Sequence, residues 1–325
     1  MVQSSPPRKK SKRLKMIKEQ WQLLAMSLPM VIWVVLFAYT PLLGWAIGFQ
    51  DFRPRFGVGV VQNVLNSEWV GLQNFRMLLD PNTLLGQRFI RSIVNTLGQS
   101  GLTLVIGFFA TILLSLMLHE VRHTGIKRII QNFLYLPHFL SWVVVAMLTS
   151  VALALPVSGG FINEALLALR IISEPIHFLA EPSYFWGIVA GSHLWKNLGW
   201  NTIIYMASMA GIDPSLYEAA SIDGASRYRK MWHVTLPSIR PTMVLLLIMN
   251  IGFLLTSGFE IQWFLGHGIN IARAENIDIF VLRFGIEMNN FGLATAAGMI
   301  RTVVSITLLL SANLVAKLLK QETLF

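Results

Sequence analysis

Long apolar stretches alternate with short polar connections along most of the 325-residue chain. A helix needs about 20 apolar residues to cross the hydrocarbon of a membrane, and backbone groups cannot stay unpaired there. The pattern therefore predicts an all-α, polytopic membrane protein. The six predicted transmembrane helices cover residues 22–48, 92–118, 133–155, 183–210, 241–262 and 291–317. Residues 1–20 form a separate basic tail, and residues 21–325 form one transmembrane domain.

The distribution of basic residues predicts the orientation of these spans. If the N-terminus lies in the cytosol, sixteen of the 26 Lys and Arg residues lie in the tail, the cytosolic connections and the C-terminus, and eight lie in outer connections. Cytosolic loops of membrane proteins carry this excess of positive charge. Both termini, and the polar connection at 211–240, are therefore predicted to be cytosolic.

Composition supports a membrane location and excludes some classes of site. Only 13% of the residues are charged and 54% are apolar, whereas soluble domains carry about 25% charged residues. The net charge is +10, and the basic residues are concentrated in the predicted cytosolic segments. We therefore expect this positive charge to contact lipid headgroups and not nucleic acid. The chain has no cysteine, and no second His or acid stands at metal-ligand spacing from His193 in its span, so no metal site is predicted.

The polar connection at 211–240 has the signals of two short helices. Asp213 and Pro214 are typical of a helix start, Gly224 of a helix end, and Ser226 of a second start. The residues alone leave two interpretations open. The segment is either a basic loop lying on anionic lipid or a rigid, bulky contact for another protein.

A family resemblance bears on this choice. The stretch "EAASIDGASRYRKMWHVTLP" at 218–237 resembles the EAA loop of the membrane subunits of bacterial ABC importers, and Asp-Gly-Ala at 223–225 is similar to the sugar-importing branch. The stretches at 194–220 and 291–319 resemble permeases that handle oligosaccharides and polysaccharide fragments.

The resemblance implies a type I ABC importer permease fold in the bacterial cytoplasmic membrane. Such a subunit forms half of the path for an oligosaccharide, together with a second permease subunit. An extracytoplasmic sugar-binding protein delivers the substrate, and two cytosolic ATPase subunits bind ATP and Mg, so no cofactor is expected in this chain. The chain has no G-x-x-x-x-G-K-[ST] loop of its own.

The resemblance also assigns residues that contact the ATPase. In this sequence they are Glu218, Ala219, Ala220, Asp223, Gly224, Tyr228, Met231, Trp232, Leu236 and Pro237.

Polar and aromatic residues inside the spans are candidates for the substrate path. Ionisable groups are costly in a membrane, which indicates function. For Lys196 and Arg301, contact with sugar and pairing with an acid or with carbonyls both stay open. The candidates are Lys196, Arg301, Asn250, Trp142, Trp195 and Trp200.

An acidic substrate such as an alginate fragment also stays open. The outer connections hold eight Arg and nine acids, and a tenth acid, Glu260, lies near the outer end of a predicted span. These charges therefore create no field that would attract an anion.

Two other functions are weighed against this one. A secondary sugar transporter is expected to show inverted repeats with broken helices, and no such repeat is visible. An intramembrane enzyme needs paired acids, an activated serine or a metal inside the spans. The chain has no G-x-S-x-G, and its single H-E-x-x-H, at 119–123, lies outside the predicted spans. The chain is therefore predicted not to be an enzyme.

Overall fold

A computed structural model describes residues 20–55, 57–256, 258–321 and 323. Nearly all of the predicted basic tail, residues 1–19, lies outside the described residues. The regular secondary structure of the described residues is helical apart from one antiparallel pair of short strands, β1 Gln50–Asp51 and β2 Glu68–Trp69. The α-helices are α1 Trp21–Val34, α2 Val60–Leu65, α3 Gln73–Leu79, α4 Leu84–Glu120, α5 Thr124–Tyr135, α6 Trp142–Ala152, α7 Phe161–Ala168, α8 Phe185–Ala210, α9 Pro214–Ile222, α10 Arg227–Lys230, α11 Leu236–Ser238, α12 Arg240–Gly252, α13 Glu260–Leu265, α14 Ile271–Ala274, α15 Ile277–Leu282 and α16 Phe291–Leu318.

Tighter and wider helical turns extend several of these helices. The 3₁₀ segments are Thr40–Phe49, Leu136–Phe139, Pro156–Ser158 and Pro182–Tyr184, and the π segments are Val35–Tyr39, Met231–Thr235 and Arg283–Glu287.

Three helical segments in the described part of the chain are long and apolar enough to cross a membrane: Trp21–Phe49, Leu84–Glu120 and Phe291–Leu318. Two bent pairs of helices raise the number to five if each pair forms one span. Helix α8 has 26 residues, which is enough to cross, but its polar residues keep it out of this set. The predicted count of six therefore stays a prediction.

The predicted span at 133–155 is broken in the structure. The helical segments Thr124–Phe139 and Trp142–Ala152 meet at an angle of 103°. Pro137 lies in the 3₁₀ turn before the break, and Ser141 begins α6 by accepting a hydrogen bond from the Val144 N–H. Pro137 in the sequence predicts a kink or cap in this helix. The size of the break was not predicted, because the apolar run is continuous and periodicity does not show where a helix changes direction.

The predicted span at 241–262 also differs from the structure. Helix α12 ends at Gly252, and α13 starts only at Glu260. Gly258 between them has a φ of +77°, a left-handed conformation that favours glycine. Ile261 and Leu265 of α13 then pack against Val145 of α6, so the second broken segment lies against the first.

The centre of the molecule is the packing of α4 against α8. Gly98 permits this contact, because a Cβ at this position would overlap the ring of Trp186. By contrast, none of the apolar window in the first segment, Trp21–Phe49, is buried by the rest of the chain. That segment meets the body where its 3₁₀ turns contact α16.

Candidate functional site

A cavity of about 410 Å³ lies between α4, α8 and α12. The apolar side chains around it include Leu104, Phe108, Val189 and Leu246. Its amide and hydroxyl lining comes from Gln99, Ser100, Thr103, Thr111, Asn197, Asn201, Tyr205, Asn250 and Gln262. No Lys, Arg, Asp or Glu is among the described residues that line it. The cavity therefore offers hydrogen bonds without a fixed charge.

Two glutamines at one end of the cavity form a relay that ends on the backbone. The Gln99 Nε2 donates to the Arg273 carbonyl over 2.7 Å, and the Gln262 Nε2 donates to the Gln99 Oε1 over 3.1 Å. The Gln262 Oε1 and the Ser100 Oγ are buried and have no hydrogen-bond partner within the described chain. Since buried polar atoms are normally paired, these two mark a place for a ligand or for water.

The loop that carries Arg273 is itself fixed to α4. The Asn95 Nδ2 donates to the carbonyls of Ala272 and Glu275. The Glu275 carboxylate is held from two sides, by both Nε and Nη2 of Arg88 and by Arg283 at 3.4 Å. These contacts hold the carbonyl at the end of the relay in one position.

Of the six predicted path residues, only Asn250 lines this cavity. Its Nδ2 donates to the Leu246 carbonyl one turn earlier in α12, which leaves the amide oxygen available on the exposed side chain.

Lys196 occupies a different place, at the break between α5 and α6. Its ammonium donates to the carbonyls of His138 and Leu140 over 2.6 and 2.5 Å, and it lies 5.3 Å from the Trp142 ring. No acid of the described chain pairs with it. Lys196 therefore satisfies carbonyls that the end of a helix leaves free.

Two of the three predicted tryptophans, Trp142 and Trp200, lie at the same break, and none of the three lines the cavity. Trp200 stacks on His138 with ring centres 4.4 Å apart, and Trp142 contacts His193 at 4.3 Å. Trp195 is exposed. His193 and Asn197 connect the two regions, because both line the cavity while His193 contacts Trp142 and the Asn197 Oδ1 lies 3.2 Å from the His138 Nδ1.

Arg301 forms an ion pair with Asp278 within the same chain. Both line a second cavity of about 480 Å³ between α15, α16 and the first segment, where Trp45 also lies. Arg301 was a candidate either for contact with sugar or for pairing with an acid. The structure favours the second interpretation, because Asp278 of the same chain is its partner.

The predicted coupling segment folds as two helices, α9 and the helical segment 227–238. Asp213 begins α9 by accepting a hydrogen bond from the Ser215 N–H at 2.9 Å, which lowers the pKa of the Asp213 carboxyl. Gly224 has a φ of +72° and follows the end of α9, as predicted. Ser226 begins α10 by accepting from the Arg229 N–H.

The predicted coupling residues divide into an inner and an outer group. Met231 and Leu236 pack towards a buried cluster that includes Ile112 of α4 and Tyr205 of α8. The remaining residues lie towards the surface; Tyr228 is 74% and Trp232 60% exposed. The Tyr217 hydroxyl lies 3.0 Å from the Thr235 Oγ1 and connects the two helices. The segment thus combines an uncovered surface with an anchor on the walls of the cavity.

Gln99 and Ser100 were missed in the sequence-based prediction of the path. A signal was present, since Ser92, Thr96, Gln99 and Thr103 recur at helical spacing in an otherwise apolar span. No group of three or more His, Cys, Asp or Glu residues in the described chain is placed to hold a metal ion.

Comparison with known proteins gives consistent results. Residues 103–323 match the family described as "Binding-protein-dependent transport system inner membrane component". The polygalacturonan/rhamnogalacturonan transport system permease protein YteP of Bacillus subtilis (strain 168) is 40% identical over 98% of this chain and 95% of its own length. Protein LplB of the same organism is 37% identical over 95% of this chain and 92% of its own length.

Two solved structures share this architecture. One is a bacterial ABC transporter involved in the import of the acidic polysaccharide alginate, at 35% identity and a TM-score of 0.81 over 94% of this chain and 98% of that chain. The other is a bacterial alginate ABC transporter in complex with an alginate pentasaccharide-bound periplasmic protein, at 34% identity and a TM-score of 0.83. That match covers 95% of this chain and 99% of that chain.

Proposed function

The chain belongs to the family of binding-protein-dependent transport system inner membrane components, and from this premise we propose which parts of it carry sugar and which respond to ATP. It is a non-catalytic permease subunit of a sugar ABC importer in the inner membrane. A second permease, ATPase subunits and a periplasmic sugar-binding protein complete the importer. The secondary transporter and the intramembrane enzyme are thereby set aside.

The cavity between α4, α8 and α12 is this chain's half of the path for the sugar. The observation that carries this proposal is its lining of amides and hydroxyls on apolar walls, inside helices of membrane length. Amides donate to and accept from sugar hydroxyls, and apolar walls suit the C–H faces of sugar rings. The cargo is an oligosaccharide fragment of an acidic polysaccharide, as the names of the relatives suggest.

The EAA segment transmits ATP-driven closure to the walls of the cavity. Its outer residues Tyr228 and Trp232 present bulk for a cleft in the ATPase. Its inner residues contact α4 and α8, the two helices that face each other across the cavity. A displacement of the segment therefore moves these walls.

Replacing amides of the cavity wall tests the path. In the assembled importer with its binding protein, Asn201→Leu and Asn250→Leu are expected to reduce uptake of an oligogalacturonide about fivefold or more, because each removes hydrogen bonds to the sugar. Thr307→Val, an exposed position on α16, is the control and should transport normally. Normal uptake by both asparagine variants in intact complexes would exclude this cavity as the path.

A further inference from the structure

The glutamine relay at the end of the cavity has a fixed polarity. A backbone carbonyl can only accept a hydrogen bond, so the Gln99 amide must turn its nitrogen towards Arg273. Its oxygen then faces Gln262, and Gln262 must turn its own nitrogen towards Gln99. The Gln262 oxygen is left over as a buried acceptor without a partner in the described chain. The orientation of both amides thus follows from one carbonyl.

A ligand at the Gln262 oxygen must donate a hydrogen bond, whereas the Ser100 hydroxyl beside it can donate or accept. Gln262 is fully buried and Ser100 is 7% exposed, so bulk solvent satisfies neither oxygen in this state. A sugar hydroxyl donates, whereas an ionised carboxylate only accepts and is repelled by the amide oxygen. The described residues around the cavity also include no Lys or Arg that would balance a negative charge.

We propose that this end of the cavity is a subsite for sugar hydroxyls, with the Gln262 Oε1 as acceptor and the Ser100 Oγ beside it, and that carboxylates of the cargo are not bound here. This inference rests on the proposed function, because it takes the cavity as the sugar path. The proposal restricts the role of this subunit. At this subsite the subunit recognises hydroxyl groups, which acidic and neutral oligosaccharides share. Discrimination by charge belongs to other components of the importer.

The test uses the complete importer in proteoliposomes with two matched sugars, an oligogalacturonide and its methyl-esterified counterpart. Gln262→Met keeps the shape of the side chain but removes the acceptor. It is expected to raise the half-saturating concentration about fivefold to tenfold, by the same factor for both sugars. Comparing variant with unmodified protein for each sugar cancels the preference of the binding protein.

Gln50→Met is the matched control, because Gln50 is also buried with an unpartnered Oε1 but lies away from the cavity. It should leave both half-saturating concentrations unchanged. Ser100→Ala is the second test variant. If Gln262→Met does not assemble, the half-saturating concentrations of Ser100→Ala for the two sugars test the proposal instead. Equal losses for the two sugars support the proposal.

A loss confined to the acidic sugar, or no loss for either sugar in an assembled complex, would overturn the hydroxyl subsite. The asparagine variants distinguish this failure from failure of the path. If they reduce uptake while Gln262→Met and Ser100→Ala do not, the cavity carries sugar and only the subsite is wrong. If none of the four variants changes uptake, the path itself is wrong.

Discussion

At the scale of single residues, the two cations inside the spans have different surroundings. Lys196 lies on α8 and donates to two carbonyls at a break in the chain, whereas Arg301 lies on α16 and pairs with a carboxylate. From the sequence, both were equal candidates for contact with sugar. Neither lies at the main cavity, and each has a structural role that can be measured.

Lys196→Met is expected to destabilise the importer by about 1–3 kcal/mol, because it leaves the carbonyls of His138 and Leu140 unpaired. Thermal unfolding of the purified complex measures this loss. Lys317→Met, at the exposed end of α16, is the control for loss of a positive charge. An unchanged melting temperature for Lys196→Met would show that water or another group satisfies these carbonyls equally well.

Arg301→Gln and Asp278→Asn are each expected to lower the stability of the complex for every sugar alike. Each single variant leaves a partly buried charge without its partner. The double variant should lose about 0.5–3 kcal/mol less than the sum of the single losses. Melting temperatures of the four proteins, with transport of several sugars, measure this coupling. A changed sugar preference with unchanged stability would instead support a path role for Arg301.

At the scale of elements, the coupling segment depends on the conformation of one glycine. Gly224 has a φ of +72° and open space around it, so a side chain there meets no neighbour but does meet backbone strain. A left-handed residue costs roughly 1–2 kcal/mol for most amino acids, while asparagine tolerates it better. The angle between the two helices of the segment therefore depends on this position.

Gly224→Val is expected to reduce sugar-stimulated ATP hydrolysis and transport while the subunit stays folded in the membrane. Gly224→Asn is the control and should retain most of both activities. Glu218→Lys, which reverses an exposed charge on α9, should reduce co-purification of the ATPase. If Gly224→Val and Glu218→Lys both bind the ATPase and transport normally, the segment is not the coupling element.

The sequence predicted the helix boundaries well where capping residues next to the boundary determine them. The helix start at Asp213, the end at Gly224 and the second start at Ser226 were all found from side-chain chemistry. Pro137 predicted a kink near 140, but the sharp break there was not predicted, because it depends on contacts such as those of Lys196 with carbonyls far away in the sequence. The break after Gly252 was not predicted. The site was found in part, through Asn250. The polar spacing along α4 could have indicated Gln99, but its pairing with Gln262 could not be predicted, because that contact joins residues far apart in the sequence.

At the scale of the whole molecule, the direction of the chain through the membrane stays a prediction from its basic residues. The chain contains no cysteine, so every introduced thiol is the sole one. Ser158 and Ser215 are exposed, and the predicted topology places them on opposite sides. In spheroplasts, a maleimide that cannot cross the membrane should label Ser158→Cys at once and Ser215→Cys only after permeabilisation. The reverse pattern would invert the topology.

The glutamine relay has a consequence for how this subunit can evolve. Its orientation begins at the main-chain oxygen of residue 273, and every amino acid supplies such an oxygen. Drift in the side chain at 273 therefore cannot reverse it. A lineage that turns to a different cargo has to change position 99 or 262 directly, and a change at one of them alone leaves the other mispaired. We expect the two positions to be replaced together, in few and abrupt steps.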